Sequence, residues 1–510
     1  PKIQEELEFS LTQLSTFDEE VLEIVSYFRE LAELSMLATI LRTNHEQLAQ
    51  AIENLQQRNL LIERVFSGKI SVCFKQKKLQ EYIYSKQSTT KLRVIHEQIA
   101  SLFEQQWKLT NDNELLALIA YHYKYANQEL KSLDYELSKL ELSLKFQHEL
   151  FPIYNERSEI AIELQPIEWQ KEFEKFEQIG EQLKKNEELY GEQEDYQLLL
   201  MKYLYLEGRY FINRGNYIRG IENIQRVIVK AREYHNDCYL VKAYRQMIYY
   251  FIQTDNASEM AQYIELAMSI SIRTNDHESI GILLRLKGLY NLMVGELEVA
   301  ERLFHESITI FTISDEVREK YASNIAASYD YLAEIERLRK NYQQAISYQK
   351  KAIVLCEETN LVTSLVIFYV DMGISAFAAQ DYKEARLYLQ RSNEMYVNLT
   401  SPWKRTQLSV YLALIDLLEG EYHAVFEALL RFNEIQTQMT NPRDLGILYF
   451  YQAIVKHLLN TQVMVEPNLS KLLEREETYY YEKAVENLSP YRDQYELHYL
   501  REVVFDKISS

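Results

Sequence analysis

An all-α protein of stacked helix pairs, preceded by a small domain of a different plan, follows from three features of the sequence. Only 12 Gly and 7 Pro occur in 510 residues, fewer than four per hundred where an average protein carries about twelve. So few chain breakers leave little room for tight-turned sheets or disordered linkers, and helices joined by short turns are the natural result. Small residues also recur about every forty positions from Gly208 onward, a spacing that belongs to helical arrays. The first hundred residues lack that spacing and contain a stretch alternating with the period of a strand.

The N-terminal part comes first. Thr16 with Glu19, and Thr43 with Glu46, read as capping-box starts of two helices. The second helix runs through "HEQLAQAIENLQQR", with Leu48, Ile52 and Leu55 on one face. "NLLIERVFSGKISVCFKQ" then alternates as two short strands around a hairpin turn at Ser67, Gly68 and Lys69. Three helices followed by a small β-wing predict a winged-helix domain over residues 1–108. Residues 109–190 read as a helical connector with the first irregular repeats, including turns at Pro152 and Pro166. Regular repeats are expected over 191–440. Beyond them, 441–510 form irregular capping helices ending near Ser509, since a terminal repeat must cover an otherwise open apolar face.

The repeat markers are Gly208, Ile248, Gly288, Ala333, Gly373 and Ala413, in steps of 40, 40, 45, 40 and 40. Seven residues after each comes a turn position, at Gly215, Asp255, Gly295, Lys340, Gln380 and Gly420. Two residues further, Tyr217, Tyr342, Tyr382 and Tyr422 supply an aromatic, expected to plug the gap to the neighbouring unit. Twelve after the marker, Gly220, Ala300, Ala345 and Ala385 are again small. Two antiparallel helices approach to about 8 Å only where contact positions carry little side chain. One pair cannot bury its own apolar face, so the units must stack.

These marks resemble the tetratricopeptide repeat, whose pattern places small residues on both helices and an aromatic between them. Gly208, Phe211, Gly215, Tyr217, Gly220 and Ile224 fit it well. The chain departs from it in period, about forty against thirty-four, and in lacking the proline that often closes a unit. The resemblance implies a right-handed superhelical solenoid with longer helices. A wider resemblance lies in "LLIER", "ISVCFKQKKLQEYIYSKQSTTKLRVIHEQIASLFE" and "LLALIAYHYKYA". This order looks like the segment that follows the nucleotide-binding core in the STAND family of signal-transduction ATPases, which includes the maltose-regulon activator and other bacterial transcriptional regulators. The matching residues are Phe74, Ile83, Tyr84, Arg93, His96, Ile99, Ala100, Ala120, Tyr121 and His122. Relatives often carry Phe-x-His after the wing, whereas this chain has Phe74, Lys75 and Gln76, so that histidine's role is not carried over.

No chemistry accompanies this architecture. A phosphate loop needs G-x4-G-K-[ST], and the Gly68-Lys69 pair has Glu63 in place of the first glycine and Ile70 after the lysine. The ten histidines are scattered and read as structural, with no metal site or cofactor expected. "GISAF" from Gly373 lacks the last glycine of a nucleophile elbow. No enzyme is expected. Cys73, Cys238 and Cys356 lie far apart and read as buried thiols in a reducing compartment. "LVTSLVIFYVDMGISAFAA" is the most membrane-like run, but Asp371 at its centre makes it a buried helix rather than a span, and a cytoplasmic protein is expected.

Two clusters are candidate binding sites. Lys69, Lys75, Lys77 and Lys78, with Lys86, Lys91 and Arg93, stand against one acid, Glu81, in a chain of net charge −20. They suit docking to another domain or phosphate contact. The acidic helix "NHEQLAQAIENLQQR" argues against DNA binding. Along the repeats, positions three before and one after the marker should face the concave groove. They give Tyr205, Arg209, Arg245, Tyr249 and Arg285, with Lys202 and Lys242 on the same side. Val370, Ile374, Val410 and Leu414 follow, with Phe377 and Leu417 one turn on. A basic, tyrosine-rich stretch continued by an apolar one suits an acid-bearing peptide, protein or small ligand. The expected function is the sensor and scaffold part of a STAND-type regulator, with its NTPase domain upstream or in trans. The alternatives are a peptide-pheromone-responsive regulator without an ATPase, and a passive interaction scaffold.

Overall fold

The computed structural model describes residues 11, 14–66, 68–145, 169–213, 215–397, 404–437, 439, 441–461, 463–464 and 467–502. Ser67, Pro152, Pro166 and Ser509, named above as turns or a helix end, lie outside them. Contacts gather into two compact units, Pro1–Glu141 with Ile179–Leu199, and Leu142–Gln178 with Leu200–Ser510.

The first unit begins α1 (Thr16–Val25), β1 (Ala32–Glu33), α2 (Leu34–Leu41), α3 (His45–Gln57), β2 (Leu61–Phe66) and β3 (Lys69–Phe74). It continues through α4 (Lys77–Ser85), α5 (Thr89–Thr110) and α6 (Leu115–Tyr125) into α7 (Glu129–Lys145). The strands form one antiparallel sheet in the order β1-β3-β2, with Ala32 opposite Val72 and Leu61 opposite Phe74. Gly68 turns the hairpin with φ +76°, a conformation open to glycine without a Cβ clash. Val21, Leu37, Leu48, Leu55, Val72, Ile99 and Ala100 are fully buried in one core. Val65 and Ile70 stand exposed at the hairpin tip, because the strands run on past the helices that cover Val72.

Both helix caps sit one residue from the expected threonines. Ser15 caps α1, its hydroxyl accepting from the Asp18 N–H at 3.0 Å, and Asn44 caps α3, accepting from the Gln47 N–H at 2.8 Å. A cap needs extended backbone, which Ser15 (ψ 156°) and Asn44 (ψ 161°) provide. Thr16 is already the first helical residue, and the Thr43 hydroxyl donates to Gln47 Oε1 instead.

Helices α8 (Trp169–Tyr190) and α9 (Glu194–Asn213) lead into the repeats. These run α10 (Tyr217–Glu233), α11 (Asp237–Gln253), α12 (Ala257–Arg273), α13 (His277–Met293), α14 (Leu297–Phe311), α15 (Asp315–Lys320), α16 (Ala322–Leu338) and α17 (Tyr342–Thr359). Then come α18 (Val362–Ala378), α19 (Tyr382–Tyr396), α20 (Arg405–Glu419), α21 (Tyr422–Gln436) and α22 (Pro442–Asn460). The last are α23 (Pro467–Leu472), α24 (Glu477–Asn487) and α25 (Gln494–Leu500). Sequence neighbours pack most closely, α11 with α12, α13 with α14, α16 with α17 and α18 with α19.

The register read from the sequence holds. All six turn positions have positive φ, from 52° at Asp255 to 87° at Gly295. The step of 45 contains the short helix α15, an insertion between the fourth unit and the one before it. A Cβ on Gly208 would lie 2.7 Å from Ile224 Cδ1, and one on Gly288 would lie 2.7 Å from the Phe304 ring. Gly373 meets Leu389 in the same way, at 2.5 Å. The aromatic plug is less uniform. Tyr217 reaches Tyr250 in the next pair, with ring centroids 5.0 Å apart, whereas Tyr382 leans 5.1 Å from Phe377 in its own pair.

Helix α18 is buried along most of its length, as read, with Asp371 bonded to Lys404. Among the described residues no helix is long and apolar enough to cross a membrane. The thiols depart from expectation. Cys356 is buried, Cys73 is half-buried and Cys238 is exposed, being in the first turn of α11 before that helix enters its packed stretch.

Alanine usually stabilises a helix interior relative to glycine by about 0.5–1 kcal/mol. At Gly220 the opposite is expected, because the new Cβ would meet the Ile212 backbone nitrogen at 2.9 Å and the Gly208 carbonyl oxygen at 3.0 Å. Backbone atoms cannot rotate away, so Gly220→Ala should cost about 1–3 kcal/mol. Thermal melting followed by circular dichroism reads this directly, and an unchanged or raised midpoint would contradict it.

Candidate functional site

The first helices of successive pairs form one layer, α13 against α16, α16 against α18, α18 against α20 and α20 against α22. The groove residues named from the sequence lie on first helices of pairs, Lys202, Tyr205 and Arg209 on α9, Lys242, Arg245 and Tyr249 on α11, Arg285 on α13 and Phe377 on α18. Tyr205, Arg209, Tyr249, Arg285 and Phe377 are buried, and Lys202, Lys242 and Arg245 are half-buried. The structure gathers some of them. The Arg209 guanidinium lies 5.4 Å from the Tyr205 ring, and Lys242 Nζ lies 5.9 Å from Tyr205 and 5.2 Å from Tyr239. Arg245 donates to the Tyr249 hydroxyl at 3.4 Å, and Arg285 Nε donates to Asn324 Oδ1 at 3.1 Å. Phe377 stands apart in an aromatic set with Tyr411 and Tyr495, at centroid distances of 5.2 and 6.4 Å.

The C-terminal helices return onto this layer. Asn441 Nδ2 donates to the Gln253 carbonyl at 2.7 Å, 188 residues away in sequence. The Tyr491 ring occupies the space where a Cβ on Gly295 would be, which adds a packing requirement to a glycine already fixed by its φ. Arg492 forks Glu334, Nε to Oε1 at 2.7 Å and NH2 to Oε2 at 2.8 Å, with both side chains buried. Arg443 holds Asp493 in a second fork, and the Ser489 N–H also donates to Asp493 at 2.8 Å. Tyr411 donates its hydroxyl to Glu496.

Between layer and returning segment lies a cavity of about 90 Å³. Its walls include Ile252, Leu289, Tyr331 and Ile367 as well as Asp255, Asp330, Glu334, Asp371, Lys404, Gln407, Asn441, Arg443, Asp444 and Arg492. Burial alone would raise the Glu334 carboxyl, but Arg492 holds it well below the usual carboxylate range. Asp493 is likewise held down by Arg443 against the effect of burial. Asp330 goes the other way, raised well above its ordinary value by burial and by the neighbouring Asp371. Burial also raises Asp255 and Asp444. Asp330 and Glu334 are not among the groove residues named from the sequence, although they stand three before and one after the marker Ala333, the positions that Arg245 and Tyr249 hold about Ile248.

A wider recess of about 700 Å³ opens one turn further along α16. Arg337, Lys340, Tyr342, Gln380 and Tyr382 line one side, and Tyr495, His498, Tyr499, Arg501 and Glu502 the other.

In the N-terminal unit the basic cluster is partly neutralised. Lys69 is bonded to Glu33 at 2.9 Å, Lys75 to Asn59 at 2.7 Å, and Lys91 to Glu23. Lys77 and Lys78 are exposed in the first turn of α4, where the positive end of the helix dipole disfavours cations. Four residues that carried the family resemblance, Tyr84, His96, Tyr121 and His122, meet in the core. His96 Nδ1 and His122 Nδ1 are 2.8 Å apart, and His96 Nε2 lies 2.8 Å from the Tyr84 hydroxyl. Their separation of 26 residues, on different helices, hid this contact from the sequence. Burial pushes His96 down to about 4, and burial with the charge of His96 pushes His122 down to about 3.

No protein-family model matches the sequence, and the comparison with curated proteins gives no match. Solved structures do match. A Signal Transduction ATPase with Numerous Domains (STAND) protein with a tetratricopeptide repeat sensor, from Pyrococcus horikoshii, superposes with a TM-score of 0.54 at 13% identity, covering 96% of this chain and 66% of that one. The chain therefore spans just under two thirds of that protein. A Rap protein complexed with competence and sporulation factor superposes with a TM-score of 0.50 at 16% identity, covering 69% of this chain and 93% of that one. At such identities the likeness is one of fold. The helix pairs form a tetratricopeptide-like solenoid.

Two outcomes follow from the site geometry. Arg492→Ala would leave Glu334 buried without its partner, a loss of about 3–5 kcal/mol. The midpoint of unfolding should fall, and limited proteolysis should cut between α24 and α25 faster than in the parent. Equal cutting rates would show that the fork does not hold this segment. For the histidines, above about pH 6.5 folded and unfolded chains both carry neutral rings. As pH falls below that, the unfolded chain takes up protons that His96 refuses until about pH 4. Stability should therefore drop by about 2 kcal/mol for His96 alone at pH 5. Hydrogen-exchange protection of α5 and α6 at pH 7 and 5, corrected for intrinsic rates, checks it. Flat protection would exclude it.

Proposed function

We propose that the chain is the sensor part of a STAND-type transcriptional regulator of bacteria, acting without catalysis of its own. In this reading the solenoid binds an acid-bearing ligand or peptide. The N-terminal unit, a winged helix, passes occupancy to an NTPase module elsewhere on the polypeptide or on a partner chain. The observation that carries the reading is the recess of about 700 Å³, a volume typical of ligand sites. Four tyrosines and the cations Arg337, Lys340 and Arg501 line it in a chain of net charge −20. One wall belongs to the repeats and the other to the returning C-terminal helix, so an occupant bears on both. A ligand acts as a switch only by favouring one arrangement over another.

Support for the winged helix comes from the order helix, strand, helix, helix, strand, strand over Thr16–Phe74, with β3 central in the sheet. The likeness in fold to the STAND protein supports the wider assignment. The exposed Lys77 and Lys78 at the start of α4, with the acidic α3, suit docking to a protein domain better than to DNA.

Native mass spectrometry and peptide titration test this. The purified chain should retain an anionic mass, or bind a labelled acidic amphipathic peptide saturably. Lys340→Glu combined with Tyr382→Ala should weaken that binding at least about tenfold, equivalent to about 1.4 kcal/mol, with helicity unchanged. No retained mass together with no saturable binding would overturn the reading.

A further inference from the structure

The charged cavity holds more carboxyl groups than its cations match. Glu334 is forked by Arg492, and Asp371 Oδ1 is bonded to Lys404 at 2.8 Å. Arg443 is taken by Asp493. Asp255, Asp330 and Asp444 line the same space and make no ion pair among the described residues. Asp330 is 7% exposed, and its Oδ1 faces no hydrogen-bond donor. Asp371 Oδ2 is also without a donor. A buried carboxylate in that position must gain either a proton or a positive partner. Burial and the hydrogen-bonded neighbour Asp371 raise the Asp330 carboxyl well above its ordinary value.

We propose that this cavity binds a small organic cation, the head of a primary ammonium or guanidinium group, seated against the donor-free oxygens of Asp330 and Asp371. No covalent bond is made: the ligand brings one positive charge to the carboxyl pair, and any proton that pair holds leaves for solvent. About 90 Å³ admits such a head and the first carbons of its stem. Ile252, Leu289 and Ile367 supply an apolar wall for that stem, and the side-chain oxygens of Gln407 and Asn441 are further acceptors. Metal ions are a poor alternative, since no group of three or more metal-ligating side chains converges among the described residues, and Lys404, Arg443 and Arg492 would repel a divalent ion. Anions would meet the surplus of carboxyl groups. The charged groups that line the cavity with Asp330 are Asp255, Glu334, Asp371, Lys404, Arg443, Asp444 and Arg492.

The site takes its purpose from the sensor reading, but its existence is tested separately. Calorimetric titration of the full chain at pH 7 with n-butylguanidine and with n-butylamine should give saturable one-to-one binding. Uncharged n-butylurea should not bind. Asp330→Asn keeps an amide able to hydrogen-bond Asp371, and should weaken n-butylguanidine at least about tenfold. Asp444→Asn, on the opposite wall, serves as the second variant should Asp330→Asn melt below the assay temperature, and it too should weaken binding. No saturable amine binding up to ~10 mM, equal binding of n-butylurea, or amine binding indifferent to both substitutions would each overturn the proposal. If the amine fails while the acidic peptide still binds, the cation site falls and the sensor reading stands. The reverse pattern removes the sensor reading and leaves a cation site.

Discussion

Two N–H groups of Arg492 resting on the two oxygens of Glu334 join parts of the chain 158 residues apart. Taking both charges out of water is costly, and only a fork that satisfies donor and acceptor together offsets the loss. The geometry is therefore exacting. Glu334 must point from the layer of first helices at the level where Arg492 arrives, which fixes how α22 to α25 lie against that layer. The second fork, Arg443 with Asp493, braces the returning segment from its own side. Both cavities owe one wall to this arrangement.

The layer in turn depends on how closely two helices of a pair can approach. At Gly208 and Gly220 the backbones come near enough that each glycine lies about 3 Å from the other's carbonyl once a Cβ is imagined. At Gly288 and Gly373 the same space is filled by a ring or a leucine from the second helix. Small residues thus admit a large side chain from the second helix in each of these pairs, and in the first pair the facing backbone as well. The positive φ at all six turns then reverses the chain within two residues.

The repeat spacing, the turn positions, the hairpin and the buried nature of α18 were legible because each rests on local rules: period, handedness of φ, and apolar runs. The caps at Ser15 and Asn44 were displaced by one residue because several adjacent side chains could serve and only the backbone decides. The charged cavity was not seen. Asp330 and Glu334 obey the groove rule, but Arg443 and Asp444 stand in the first turn of α22 and Arg492 in the turn between α24 and α25, with no period to place them. Burial of Arg209 and Arg285 was equally hidden, since arginine at a first-helix position reads as solvent-facing until a neighbour is known to cover it.

The meeting of His96, His122 and Tyr84 carries one more consequence. Two imidazole nitrogens 2.8 Å apart cannot both donate or both accept. If His96 Nδ1 carries the hydrogen, its Nε2 must accept from the Tyr84 hydroxyl; if His122 carries it, His96 turns donor toward the tyrosine oxygen. The three groups therefore form a chain with only two directions, and any event that fixes the tautomer at one end dictates the orientation of the phenol at the other.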